Sequence, residues 1–252
     1  RELAAPDGAG QDLGSQVPVF VIGLSRSGKS LTESVLARHP DVYGAGERHF
    51  WLNALDQVRA KYSIEEPYPD CVPRLDSRQM REIGDIYIER ISPYAPKHRY
   101  IVNTLPGHYR FAGLILRSLP NVRLIYSARD VMDRCLRVFF KMYGTGNKYA
   151  YEFDDIASYI VDYRRMMDFW RQLHGDRILP VRYEDLVPRT GETAARLYRH
   201  VGLDPEKAGA PPTFSEAQIG HWKRYEAHLA PLRAALEAHG ALSGEGRDPS
   251  AN

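Results

Sequence analysis

Residues Val17–His39 read VPVFVIGLSRSGKSLTESVLARH, and the order of residue types in them sets the architecture of the chain. The stretch opens on a short apolar run, Val17–Val21, of the kind that forms a buried strand. A glycine-bounded loop, Gly23–Ser30, follows, and an amphipathic helix runs from about Ser30 to His39. Strand, glycine loop and helix in this order open an α/β nucleotide fold. The loop, Gly23-Leu24-Ser25-Arg26-Ser27-Gly28-Lys29-Ser30, has the spacing GxxxxGK[ST]. Its glycines allow a tight turn whose amides converge on an anion, and the helix behind it points its positive end at the same anion. Lys29 adds a point charge and Ser30 a hydroxyl. The blander reading of these residues is a glycine turn that caps a helix.

Beyond this stretch, Asp41–Glu47 is short and turn-rich. Phe50–Lys61 and Ser77–Ile91 carry helical spacing, with Ser77 as N-cap, and Pro67, Pro69 and Pro73 mark a loop between them. Tyr100–Val102, Val122–Ser127 and Ile178–Val181 read as strands. Helices are expected at Phe111–Leu119, Val131–Tyr143, Asp154–Leu173, Thr190–Val201 and Trp222–His239. Alternating strands and helices predict an α/β fold, a P-loop-like parallel sheet of about four or five strands flanked by helices on both faces. Residues 1–16 read as a flexible leader, 17–240 as a nucleotide-binding domain and 241–252 as a polar tail.

The 252 residues are 43% hydrophobic and 26% charged, enough for a core that holds a buried site. A net charge of only +2 means that affinity for anions must come from local placement of Arg and Lys. No concentrated basic run with interleaved aromatics suggests DNA or RNA binding. Cys71 and Cys135 stand far apart, outside any zinc-type spacing, so neither a metal site nor a disulfide framework is expected. No apolar run approaches the roughly 20 residues of a membrane span, and Arg1–Gln16 lacks the apolar core of a signal peptide. A cytoplasmic protein is the expectation.

Four ordered segments resemble the PAPS-dependent sulfotransferases, in particular the bacterial group related to tyrosylprotein sulfotransferases. Pro18–Glu47 reads PVFVIGLSRSGKSLTESVLARHPDVYGAGE, which is similar to that group's opening at Arg26, Ser27, Gly28, Leu31, Glu33, His39-Pro40, Val42, Gly44 and Gly46-Glu47. Pro120–Asp130 is similar to its strand, short loop and arginine. Val181–Leu186 gives VRYEDL, and Gly220–Leu229 gives GHWKRYEAHL. The resemblance implies that Arg26 and the amides around Ser27, Gly28, Lys29 and Ser30 cradle the 5'-phosphosulfate of PAPS, with PAP as the product. It implies that Arg129 holds the 3'-phosphate with help from Tyr183, and that Glu47 is the general base. His49 is the runner-up base. Arg129 has an alternative role, pairing with Asp130 or Asp133, and the segment His221–Arg224 either caps the nucleotide or packs.

The chain departs from that family at Lys29, where a Thr is usual, and at Thr104, where a Lys is common. Arg137 stands where a Ser is usual, and the loop between Leu203 and Gly220 is shorter. Two changes compensate on one reading: Lys29 restores the charge that Thr104 lacks, and Arg137 meets the 3'-phosphate more strongly than a serine. On the other reading Gly28-Lys29-Ser30 serves ATP or GTP, with Ser30 on Mg²⁺ and Lys29 on the outer phosphates, in a phosphotransferase that shares the fold. A non-catalytic nucleotide-binding protein is the third reading. The resemblance implies an acceptor hydroxyl, on a small molecule, a sugar or a peptide. The aromatic and proline-rich stretches Met142–Phe153 and Pro67–Pro73 either line its pocket or pack at the surface.

Overall fold

Side chains of residues 17–22 alternate between two cores: Phe20 and Ile22 enter one, Val19 and Val21 the other. That alternation is what a strand covered on both faces requires. A computed structural model describes residues 16–144 and 146–242. In chain order the elements are β1 (Val17–Ile22), α1 (Lys29–Leu36), β2 (Val42–Gly44), α2 (Phe50–Lys61), α3 (Ser77–Ile91) and β3 (Tyr100–Asn103). There follow α4 (Ala112–Ser118), β4 (Leu124–Ala128), α5 (Val131–Phe139), α6 (Phe153–His174), β5 (Ile178–Arg182), the single turn α7 (Tyr183–Leu186), α8 (Thr190–Val201) and α9 (Ala230–Ala238).

The five strands form one parallel sheet in the order β2-β3-β1-β4-β5. β1 is central, in register with β3 at Val19 opposite Val102 and with β4 at Val21 opposite Ile125. On the face of Val19 and Val21, Val35 and Leu36 of α1 pack with Leu197 and Tyr198 of α8, and the Tyr198 hydroxyl donates to Val35 O at 2.6 Å. The opposite face carries the larger core. There Phe20 meets the fully buried Trp51 and Tyr87 at ring-centroid distances of 5.9 and 5.1 Å. Side chains buried this completely contribute about 1.5–3 kcal/mol each, so α2 and α3 are fixed beneath the central strand.

The structure departs from the sequence reading in several places. β2 was read only as turn; it pairs with β3, Val42 opposite Tyr100. The N-cap of α3 is Asp76 rather than Ser77: Asp76 accepts from Gln79 N at 2.8 Å while the Gln79 side chain accepts from Asp76 N at 2.9 Å, a reciprocal capping box. The helix expected to Tyr143 stops at Phe139, and the one expected from Phe111 is preceded by a 3₁₀ turn over Pro106–Phe111. The helix expected over Trp222–His239 divides into a 3₁₀ stretch, His221–His228, and α9, whose start carries Pro231. Residues 1–15 of the leader and 243–252 of the tail lie outside the described residues. Gln16 donates to Ala95 O and His98 O, and Ala241 is buried. Both cysteines are buried. Among the described residues no helix is long and apolar enough to cross a membrane.

Candidate functional site

The loop between β1 and α1 lies at the carboxyl end of the central strand, where parallel sheets place ligands. Its backbone needs glycine at two points. A Cβ on Gly23 would lie 2.7 Å from Ser127 O, and one on Gly28, at φ 98°, would lie 2.8 Å from the Tyr183 ring. Gly28 is also the N-cap of α1, so the free amides of the first turn open onto the loop. Arg26 adopts φ 68°, a left-handed conformation that a side-chain-bearing residue enters at a cost. The Ser27 hydroxyl is buried without a partner. Ser30 is exposed on the first turn of α1.

Lys29 turns back over this loop, where its ammonium donates to Leu24 O at 2.9 Å and only 6% of the residue is exposed. Burial pulls its pKa down to about 8; the Glu47 carboxylate opposes that shift, while Arg26 and Lys141 add to it. Glu47 itself is exposed on the loop after β2. Two side chains fix that loop. Glu33 Oε1 accepts from Gly46 N at 2.8 Å. Asn103, fully buried at the end of β3, accepts from Arg48 N at 3.2 Å and donates to Arg48 O at 3.0 Å and to the Tyr87 hydroxyl at 3.0 Å. Thr104 adds its amide to Gly46 O at 3.0 Å. His49, the runner-up base, is exposed beside the same loop. Within Met142–Phe153, the Tyr143 hydroxyl lies 3.1 Å from Ser25 Oγ, which brings Tyr143 to the loop.

Three guanidiniums share the other side. Arg129, one residue past β4, donates to Arg26 O at 3.4 Å and to Gln218 O at 2.7 Å, and it stacks on the Tyr183 ring at 4.0 Å. Arg137 donates to Gln218 Oε1. Burial lowers the pKa of Arg129 and of Arg137, and Arg26 and Arg129 lower that of Arg137 further. Asp130 and Asp133, the alternative partners of Arg129, are engaged elsewhere. Asp130 caps α5 through Asp133 N at 2.8 Å. Asp133, 1% exposed, accepts from Gly220 N at 2.7 Å and Trp222 N at 2.9 Å. Among the described residues no carboxylate forms an ion pair with Arg26, Arg129 or Arg137. The Nε atoms of Arg26 and Arg129 are buried and unpartnered.

The structure thus gathers Arg26, Ser27, Gly28, Lys29, Arg129, Arg137 and Tyr183 around one space, with Ser30 at its exposed edge and Glu47 across from Lys29. Buried cations held by neutral oxygens, beside an orphaned hydroxyl and free amides, suit an anion with more than one charged group. Sequence reasoning missed Gln218, Asp133 as a clamp and Asn103 as a loop anchor, and it met Glu33 only as a matched letter. Of these, Asp133 alone carried a signal, an acid in the first turn of a helix that ends near the site.

Comparison with known proteins gives the family and the fold. A family model described as "Sulfotransferase family" matches residues 18–207. An uncharacterized protein of Aquifex aeolicus (strain VF5) is 27% identical over 248 residues, covering 88% of this chain and 32% of that protein, so the chain spans about a third of that relative's length. Among solved structures, the sulfotransferase domain of the Synechococcus PCC 7002 olefin synthase superposes with a TM-score of 0.55 at 17% identity, covering 96% of this chain and 98% of that one. Sulfotransferase STF1 of Mycobacterium tuberculosis H37Rv gives 0.54 at 18% identity, with 91% and 77% covered. A sulfotransferase of Alicyclobacillus acidocaldarius gives 0.50 at 15%, with 88% and 95% covered. At these identities the structural likeness speaks for the fold.

Proposed function

The chain belongs to the sulfotransferase family, and from that premise we propose that it moves a sulfuryl group from PAPS to a hydroxyl acceptor, leaving PAP. One observation carries the choice of donor: Arg129, buried, and Arg137, half-buried, sit together with neutral oxygens of Gln218 as acceptors, and among the described residues no carboxylate is paired to either. Such a pair matches a phosphate separate from the one that the glycine loop holds, and PAPS carries its 3'-phosphate apart from the 5'-phosphosulfate.

In this reading Arg26, Lys29, the Ser27 hydroxyl and the amides of Ser27–Ser30 hold the 5'-phosphosulfate, the group that supplies the sulfuryl when bound. Donors fixed in advance around that group stabilise the charge that grows on its oxygens during transfer. Arg129 and Arg137 hold the 3'-phosphate, and Tyr183 keeps the Arg129 plane in position. Glu47 takes the proton of the acceptor hydroxyl. Its place near Lys29, whose ammonium feels the Glu47 charge, and so beside the loop that would hold the transferred group, supports this role. No step calls for a metal ion.

The exposed Ser30 hydroxyl in a Gly-Lys-Ser loop favours a second reading, phosphoryl transfer from ATP or GTP with Mg²⁺. Thermal denaturation separates the two. A ligand that binds only the folded chain raises its melting temperature, so PAP without metal is expected to raise it. Stabilisation by Mg-ATP with none by PAP would replace the sulfuryl reading with the phosphoryl one.

A further inference from the structure

We propose that Gln218 is a built-in placeholder for the 3'-phosphate, and that its displacement makes the site select a nucleotide carrying that phosphate. The inference rests on the reading of Arg129 and Arg137 as the 3'-phosphate site. Gln218 presents two oxygens, its backbone carbonyl to Arg129 at 2.7 Å and its side-chain Oε1 to Arg137. Two oxygens from one group, one on each guanidinium, are what a bound phosphate would offer. Without a ligand the buried Arg129 would keep only the long bond to Arg26 O and the half-buried Arg137 would lose its side-chain acceptor, at a cost, and Gln218 reduces that cost with neutral oxygens. A phosphate oxygen adds the attraction of a full opposite charge, which a neutral amide oxygen lacks, so a 3'-phosphate outcompetes Gln218 and a ligand without one does not.

The surrounding chain permits the exchange. Upstream, Gly209 and Ala210 are tied to Arg38, by Gly209 N to Arg38 O and Arg38 Nε to Ala210 O, both at 2.9 Å. Downstream, Asp133 holds Gly220 and Trp222, and Gly220 bends the chain at φ 65°. Between these anchors Phe214 packs half-buried on the core of α1 and α8, while Pro211, Thr213, Ser215, Glu216 and Ala217 are exposed, the last three leading directly to Gln218. Gln218 can therefore leave the arginines while Asp133 and Arg38 keep their grip on either side.

Calorimetric titration of the chain with PAP and with 5'-AMP tests the proposal. Gln218→Ala is expected to tighten PAP by about threefold to tenfold and to leave 5'-AMP within about twofold. Gln218→Glu, whose carboxylate would stay on Arg137, is expected to weaken PAP by about tenfold or more and again to spare 5'-AMP. In the wild type, PAP but not 5'-AMP should speed amide hydrogen exchange across residues 213–219, a measurement that needs no variant. Loss of PAP affinity in Gln218→Ala, or protection of 213–219 by PAP, would make Gln218 a contact of the nucleotide and overturn the placeholder. A wild-type preference for PAP that neither variant alters removes the placeholder alone. Equal wild-type affinity for PAP and 5'-AMP removes the donor assignment and the placeholder with it.

Discussion

The Arg129 guanidinium lies 4.0 Å from the centroid of the Tyr183 ring, and the edge of that ring closes on Gly28. One aromatic side chain at the end of β5 thereby spaces the glycine loop from the arginine past β4. The site is assembled by contacts between three neighbouring strands of the sheet, so a change at one corner reaches the others.

Gly28→Ala is expected to lower stability by about 1–3 kcal/mol, from backbone strain at φ 98° together with a clash of the new Cβ at 2.8 Å from the ring. Tyr183→Ala relieves the clash and leaves the strain. Denaturant unfolding of the two single variants and the double should therefore show a double loss smaller than the sum. Strict additivity would mean that the ring does not press on Gly28.

Lys29 gives the site a pH signature. Burial lowers its pKa to about 8 from an ordinary 10.5, so the ammonium is charged below about pH 8 and neutral above it. An anion is held by the charged form, and PAP affinity and kcat/KM are expected to fall as pH rises through about 8. Stability runs the other way. The unfolded chain keeps this proton up to its ordinary pKa, so between about 8 and 10.5 it binds more protons than the folded chain, and the folded state gains as pH rises. Lys29→Met should remove both trends and cost about tenfold or more in turnover at neutral pH. An unchanged pH profile of PAP affinity in this variant would show that another group titrates.

Glu47 and the residues that hold its loop should separate by kinetics. Glu47→Ala is expected to lower kcat by about 10²- to 10⁴-fold while PAP affinity stays within about twofold. Asn103→Ala removes hydrogen bonds to Arg48 and Tyr87 at a fully buried position. It should cost about 2–4 kcal/mol of stability and lower kcat through a loosened loop. Full turnover by Glu47→Ala would take the base role from Glu47, and His49→Ala is then the variant to compare.

The central strand, the loop and α1 were legible because local rules write them: an apolar run, then glycines at the positions that need positive φ, then helical spacing. β2 was not. Val42–Gly44 is three residues with a glycine, and it is a strand only because Tyr100 and its neighbours supply the ladder. The break before α9 did carry a signal, Pro231, which the apolar spacing of Trp222, Leu229 and Leu232 hid. Within the site, Arg26, Lys29, Arg129 and Arg137 stood out as charges near strand ends. Gln218 meets Arg137 across 81 residues of sequence, and no propensity or spacing announces a neutral side chain that satisfies a distant cation. Asn103 escaped for the same reason, 55 residues from the Arg48 backbone that it fixes.

The identity of the donor turns on Arg129 and Arg137 together. Each is expected to give a 3'-phosphate about 1.5–3 kcal/mol as a charge-assisted contact, and neither should affect a ligand that lacks that phosphate. Arg129→Ala, Arg137→Ala and the double variant, each titrated with PAP and with 5'-AMP, test this as a cycle. PAP affinity should fall by more than tenfold in each single variant, with 5'-AMP nearly unchanged. The double variant should bind the two ligands about equally. Because Gln218 bridges the two guanidiniums through its backbone and its side chain, the losses are not expected to add: removing one arginine frees half of the Gln218 contact and changes what the other must exchange for phosphate. A null difference between PAP and 5'-AMP in wild type and variants alike would assign these arginines to holding Gln218 and the chain around it, and would leave the glycine loop as the one place where the nucleotide's phosphate is held.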